Sequence, residues 1–113
     1  MSMTFRRNIL AGGALALSVL ALGSPAPGAA HRTREIAIAN LGFGPAPVGL
    51  HVNDIVEWAN ADIFRHTATA ADGSFDVDLT AGAKGRTTLK RAGVVDYFCR
   101  FHPGMKGRLE VAP

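Results

Sequence analysis

An all-β fold, a sandwich or a barrel, is predicted by three observations. After residue 30, apolar and polar residues alternate at a period of two nearly throughout. Turn dipeptides break that alternation at Asp72-Gly73, Ala81-Gly82, Ala92-Gly93 and Pro103-Gly104. No stretch of 31–113 carries a convincing helical period.

The strands follow in order. Residues 35–40 place Ile36 and Ile38 on one face. The 50–60 segment carries Leu50, Val52, Val56 and Trp58 on one side and turns at Asn53-Asp54. Across 66–70, Thr67 and Thr69 alternate with small residues. In 75–79, Phe75, Val77 and Leu79 alternate with Asp76 and Asp78. Residues 86–89 read as a short polar strand, and 94–99 and 107–111 complete the set. Seven to eight short strands at regular spacing fit a single domain with no internal repeat.

Residues 1–30 read as an export leader rather than as fold. Arg6 and Arg7 precede an apolar run over 9–22, interrupted by Gly12, Gly13 and Ser18. That run is shorter than the ~20 apolar residues a bilayer span needs, and it suits a signal peptide. The small residues Gly28-Ala29-Ala30 suit cleavage after Ala30. The Arg6-Arg7 pair also resembles a twin-arginine signal. The mature chain, 31–113, is then a domain of 83 residues with no membrane span, near the lower limit for a self-sufficient core. Without Arg6 and Arg7 it keeps ten basic against nine acidic residues. That balance, with no basic stripe interleaved with aromatics, excludes nucleic acid as the expected partner.

Cys99 is the only cysteine, so no internal disulfide can staple this small exported domain. A lone cysteine in an exported chain pairs with another chain, stays a reactive thiol or binds metal. Alone, Cys99 reads as a core cysteine, His102 as a solvated loop residue and Met105 as packing. Together, in Cys99-Arg100-Phe101-His102-Pro103-Gly104-Met105, they place a thiolate, an imidazole and a thioether at three-residue intervals around a Pro-Gly turn. Such a soft donor set selects copper, and a Cys/His/His site with a weak axial Met is the electron-transfer arrangement. The missing histidine is best supplied by His66, which follows the 60–65 loop between two strands. His31, near the mature N-terminus, and His51, within a strand, remain rivals.

At this point the chain resembles the cupredoxins. Phe43-Gly44-Pro45-Ala46-Pro47, followed by the 53–60 segment with Val56, Trp58 and Asn60, is similar to the family's first half. Asp62 followed by His66-Thr67 resembles its first histidine segment, and Asp72-Gly73-Ser74-Phe75-Asp76 its next turn. Tyr97-Phe98-Cys99 with His102-Pro103-Gly104-Met105 resembles its ligand loop, in the short amicyanin-like spacing. Departures are Asn53 for a turn glycine, Arg65 for a proline, Thr67 for an asparagine, and Arg100-Phe101 for Thr-Pro. The resemblance implies a Greek-key β-sandwich holding one type 1 copper on His66, Cys99, His102 and Met105. It also implies one-electron transfer in the periplasm, with His102 as the exposed ligand.

The expected protein is therefore a monomeric, periplasmic one-electron carrier between transient redox-protein donors and acceptors. A copper-binding or delivery module would use the same ligands. Zinc suits Cys and two His, but leaves Met105 without a role. An enzyme is not expected, because no second ligand cluster offers a substrate-binding copper. Phe101 keeps a backbone N–H that can reach the Cys99 sulfur, and Arg100, Lys106 and Arg108 are candidates for a basic rim around His102.

Overall fold

The computed structural model describes residues 31–113; the leader expected over 1–30 lies outside the described residues. Nine strands follow one another: β1 (Thr33–Ala39), β2 (Gly42–Phe43), β3 (Leu50–His51), β4 (Ile55–Asn60), β5 (His66–Ala70), β6 (Asp76–Leu79), β7 (Lys84–Thr88), β8 (Gly93–Phe98) and β9 (Lys106–Ala112). They form two sheets, ordered β2-β1-β4-β7 and β3-β9-β8-β5-β6. The β5–β6 and β8–β9 hairpins lie side by side through β5 and β8, while the intervening β7 joins the other sheet. That crossing makes the all-β sandwich a Greek key.

Nine strands stand where seven to eight were expected, for two local reasons. The 50–60 segment splits into β3 and β4 at Asn53, whose φ of 77° only a turn can use. Asp54 then accepts backbone N–H bonds from His51 and Arg32 at 2.9 and 3.2 Å, sealing the corner. The second addition is the two-residue β2, which pairs with β1 across a hairpin whose central residues, Asn40 and Leu41, have φ of 52° and 58°. Two positive φ angles define the turn that matches strand twist, and leucine is a costly residue to place in it.

Alternation does the rest. Ile36 and Ile38 of β1, Val56 and Trp58 of β4, Leu79 of β6, Val95 and Tyr97 of β8, and Leu109 and Val111 of β9 are buried between the sheets. Trp58 sits at the centre, its ring 5.0 Å from Tyr97 and its Nε1–H donating to Thr87 at 3.2 Å. Gly107, opposite Tyr97 in the ladder, leaves the space the phenol ring occupies; a Cβ there would lie 2.2 Å from Tyr97 Cζ. One end of the sandwich gathers the ends of β4, β6 and β8 and the starts of β5 and β9. The expected metal ligands lie there.

Candidate metal centre

The first histidine is positioned by the loop that leaves β4. Asn60 is buried, and its amide donates to the carbonyls of Phe64, Leu79 and Thr80 at 2.8–3.2 Å. Its Oδ1 accepts the Asp62 backbone N–H at 2.9 Å, so one side chain folds the 60–66 loop. Asp62 in turn accepts N–H bonds from Leu41 and Ile63, both at 2.9 Å, and lies 3.0 Å from His66 Nε2. The Leu41 N–H first, then His66, holds the Asp62 carboxyl below its ordinary value. A carboxylate only accepts, so Nε2 carries the imidazole proton and the Nδ1 lone pair faces inward.

Cys99 follows the last residue of β8, and the loop after it closes on itself. Cys99 N–H donates to Met105 O at 3.1 Å, and Met105 N–H to His102 O at 2.8 Å. Cys99 and His66 are fully buried, Met105 is buried, and His102 is half-buried. Cys99 Sγ lies 3.7 Å from His66 Nδ1 and 3.6 Å from His102 Nδ1. Donors held about 2.1 Å from one ion in a common plane are roughly 3.6 Å apart, so the two sulfur–nitrogen distances suit a shared metal ion. The donor atoms of His66, Cys99 and His102 all lie within 4.8 Å of one another, and they are the only such cluster of His, Cys and acidic groups among the described residues.

The thiol is primed for a cation. Burial pushes its pKa up, but the Thr67 backbone N–H, at 3.4 Å from Sγ, together with His102 and His66, brings it down to about 6. The Phe101 N–H, expected as the sulfur donor, acts in the same direction and contributes least of these groups. Thr67 is therefore the main backbone partner of the sulfur. Its hydroxyl also accepts the Arg100 N–H at 2.9 Å, so threonine ties β5 to the ligand loop.

The rival histidines lie elsewhere. His51, on β3, pairs with Ala112 at the opposite end of β9, and its Nδ1 contacts Gly49 O. His31 contacts Asn53 O. The expected basic rim is mostly neutralised, because Arg100 pairs with Asp76 and Arg108 with Asp96. Among the described residues, Lys106 is the one member of that trio without a carboxylate partner. The sequence reading missed what Asn60, Asp62 and Thr67 do here, since they act through contacts formed only on folding.

Two packed sheets with a thiolate and two imidazoles at one end have the cupredoxin fold. Among solved structures, the chain is similar to a copper(I) form of an amicyanin variant: TM-score 0.64, 23% identity, 75% of this chain and 87% of that one. A reduced amicyanin variant gives TM-score 0.62 at 25% identity over 70% and 81%. It is also similar to part of a copper-containing nitrite reductase from Thermus scotoductus SA-01, at TM-score 0.62 and 28% identity, over 74% of this chain but 23% of that one. No protein-family model and no curated protein matches the chain.

Proposed function

We propose that this chain is a periplasmic type 1 copper protein that carries single electrons between redox proteins. The observation that carries the reading is the buried Cys99 thiol set 3.6–3.7 Å from two imidazole nitrogens, on a loop that closes at Met105. Cys99, His66 and His102 would hold the ion, with Met105 as the weak axial donor. A thiolate, two imidazoles and a thioether suit copper, and bound copper supplies a one-electron couple.

The chain's own residues do the rest. The strands hold His66 and Cys99, and Asp62 keeps the His66 proton on the outer nitrogen. Burial excludes water from the thiolate, and the Thr67 N–H withdraws charge from it. His102 is the partly exposed donor, and Phe64, 46% exposed, has its ring 6.2 Å from the His102 ring. With Ile63 and Phe101 also exposed, the surface around His102 is apolar and suits small, transient contacts. Full burial of Cys99 and His66 favours a retained ion over delivery to an acceptor. In this reading residues 1–30 are an export leader, and the mature chain over 31–113 is a monomer without a membrane span; its near-balanced charge argues against a nucleic-acid partner.

Addition of Cu(II) to the mature domain should give an intense blue colour at one copper per chain. Cys99→Ser and His66→Ala should lose that colour, and His51→Ala should keep it. A blue Cys99→Ser protein, or bleaching by His51→Ala alone, overturns the assignment.

A further inference from the structure

The ligand loop is tied to β6, a strand at the edge of its sheet, by two separate routes. Asp76 and Asp78 lie two residues apart, and so project from the same face of β6. Both are exposed.

The first route is a ring of hydrogen bonds. Asp76 Oδ1 lies 2.7 Å from Thr69 Oγ1 and 3.1 Å from Arg100 Nε. Thr69 Oγ1 lies 2.9 Å from Thr67 Oγ1, which accepts the Arg100 backbone N–H. The carboxylate can only accept, and that sets every direction. Thr69 O–H donates to Asp76, Thr67 O–H donates to Thr69, and the Thr67 oxygen is left to accept from Arg100. Arg100 is thus held at both its backbone and its side chain, and the ring closes on one carboxylate.

The second route is a stack. Arg65 donates to Asp78 through Nε at 2.8 Å and through Nη2, a two-point contact that fixes its plane. The Arg65 guanidinium carbon then lies 5.1 Å from the centre of the Phe101 ring. The Arg100 guanidinium carbon lies 5.6 Å from the centre of the same ring, so two arginines contact Phe101.

We propose that β6 is a clamp on the ligand loop: Asp76 and Asp78 are positioning residues that hold Arg100 and Phe101, the two residues between Cys99 and His102. The clamp spaces the two donors before an ion arrives. Its importance for electron transfer rests on the copper reading; its existence does not. Each exposed ion pair adds little to overall stability. The property it governs is local order of the loop.

The test is amide hydrogen exchange by NMR on the metal-free protein. Thr69→Val keeps the shape and removes the hydroxyl, whereas Thr69→Ser keeps the hydroxyl. In Thr69→Val and Asp76→Ala the Arg100 amide should exchange roughly five- to tenfold faster, the equivalent of one net hydrogen bond. Thr69→Ser should exchange like the parent, and the core amides of Ile36 and Leu109 should be unchanged throughout. For the second route, Asp78→Ala should abolish the ring-current shift of the Arg65 side chain. An Arg100 rate unchanged by Thr69→Val and Asp76→Ala overturns the clamp. So does equal acceleration of the core amides, or an Arg65 shift that survives Asp78→Ala. Failure of the copper reading would appear separately, as a colourless copper-treated protein with these exchange results intact.

Discussion

His66 Nε2 donates to Asp62 Oδ2 at 3.0 Å, and this bond decides which imidazole nitrogen meets Cys99. Partners behind a ligating histidine orient the ring and raise its basicity, and their loss typically costs about 10- to 100-fold in metal affinity. Asp62→Ala should weaken copper binding by that factor, measured by competition with a chelator of known affinity. An unchanged affinity would mean that packing alone orients the ring.

Leu41 donates its N–H to the same carboxylate from a left-handed backbone with φ of 58°. An L-residue with a Cβ costs roughly 1–2 kcal/mol in that region, and glycine does not. Glycine's greater freedom in the unfolded chain offsets part of the gain. Leu41→Gly should therefore stabilise the metal-free domain by about 0.5–1 kcal/mol, read by urea denaturation. A destabilised variant would show that the half-exposed leucine side chain contributes more than its backbone costs.

Gly107→Ala should be among the most damaging single-methyl additions, because the new Cβ would meet Tyr97 Cζ at 2.2 Å and Oη at 2.3 Å. Overpacking of this kind costs typically about 1–3 kcal/mol. Gly104→Ala, with no atom within 4 Å of its new Cβ, is the control and should be close to neutral. Equal midpoints for the two variants would discount the close packing of Tyr97 on β9.

Asp54 gives the fold a pH dependence far from the metal centre. Burial raises its pKa, but the N–H groups of His51 and Arg32 outweigh it and bring it below the ordinary 3.8. A carboxyl with a depressed folded-state pKa contributes stability that is present above its unfolded value and is lost as pH falls through the folded one. Stability should therefore decline on acidification below about pH 4. Asp54→Ala should flatten that decline and lose about 1–3 kcal/mol at neutral pH, because two part-buried N–H groups lose a charged acceptor. An unchanged acid slope in the variant would assign the decline to other carboxyls.

Met105→Leu should keep the blue colour and raise the potential, because losing a weak thioether donor disfavours Cu(II) more than Cu(I). Each tenfold change in relative affinity corresponds to about 59 mV for one electron. Voltammetry measures the shift. Loss of all copper binding would make Met105 a principal ligand instead.

Much of the fold was legible before any coordinate, because a strand buried on one face must alternate. Ile36, Ile38, Leu50, Val56, Trp58 and Leu79 all occupy the core that their period predicts. The spacing of Cys99, His102 and Met105 was equally legible, since a short loop brings together residues that are already close in the chain. His66 was harder to identify. Its place after the 60–65 loop and the resemblance favoured it over His31 and His51, but only the β5–β8 ladder, which aligns Thr69 with Phe98, carries it to Cys99. The supporting contacts depend wholly on tertiary structure. Asn60, Asp62, Thr67, Thr69 and Asp76 are ordinary polar residues by type and spacing. Their roles arise because hydrogen bonds need approach within about 3 Å, and pairings such as Thr67 with Arg100 span 33 residues. The sequence thus determined the alternation and the donor chemistry, through periodicity and residue type. Which histidine joins the cysteine, where its proton sits and what holds the loop were decided by the packing of two sheets.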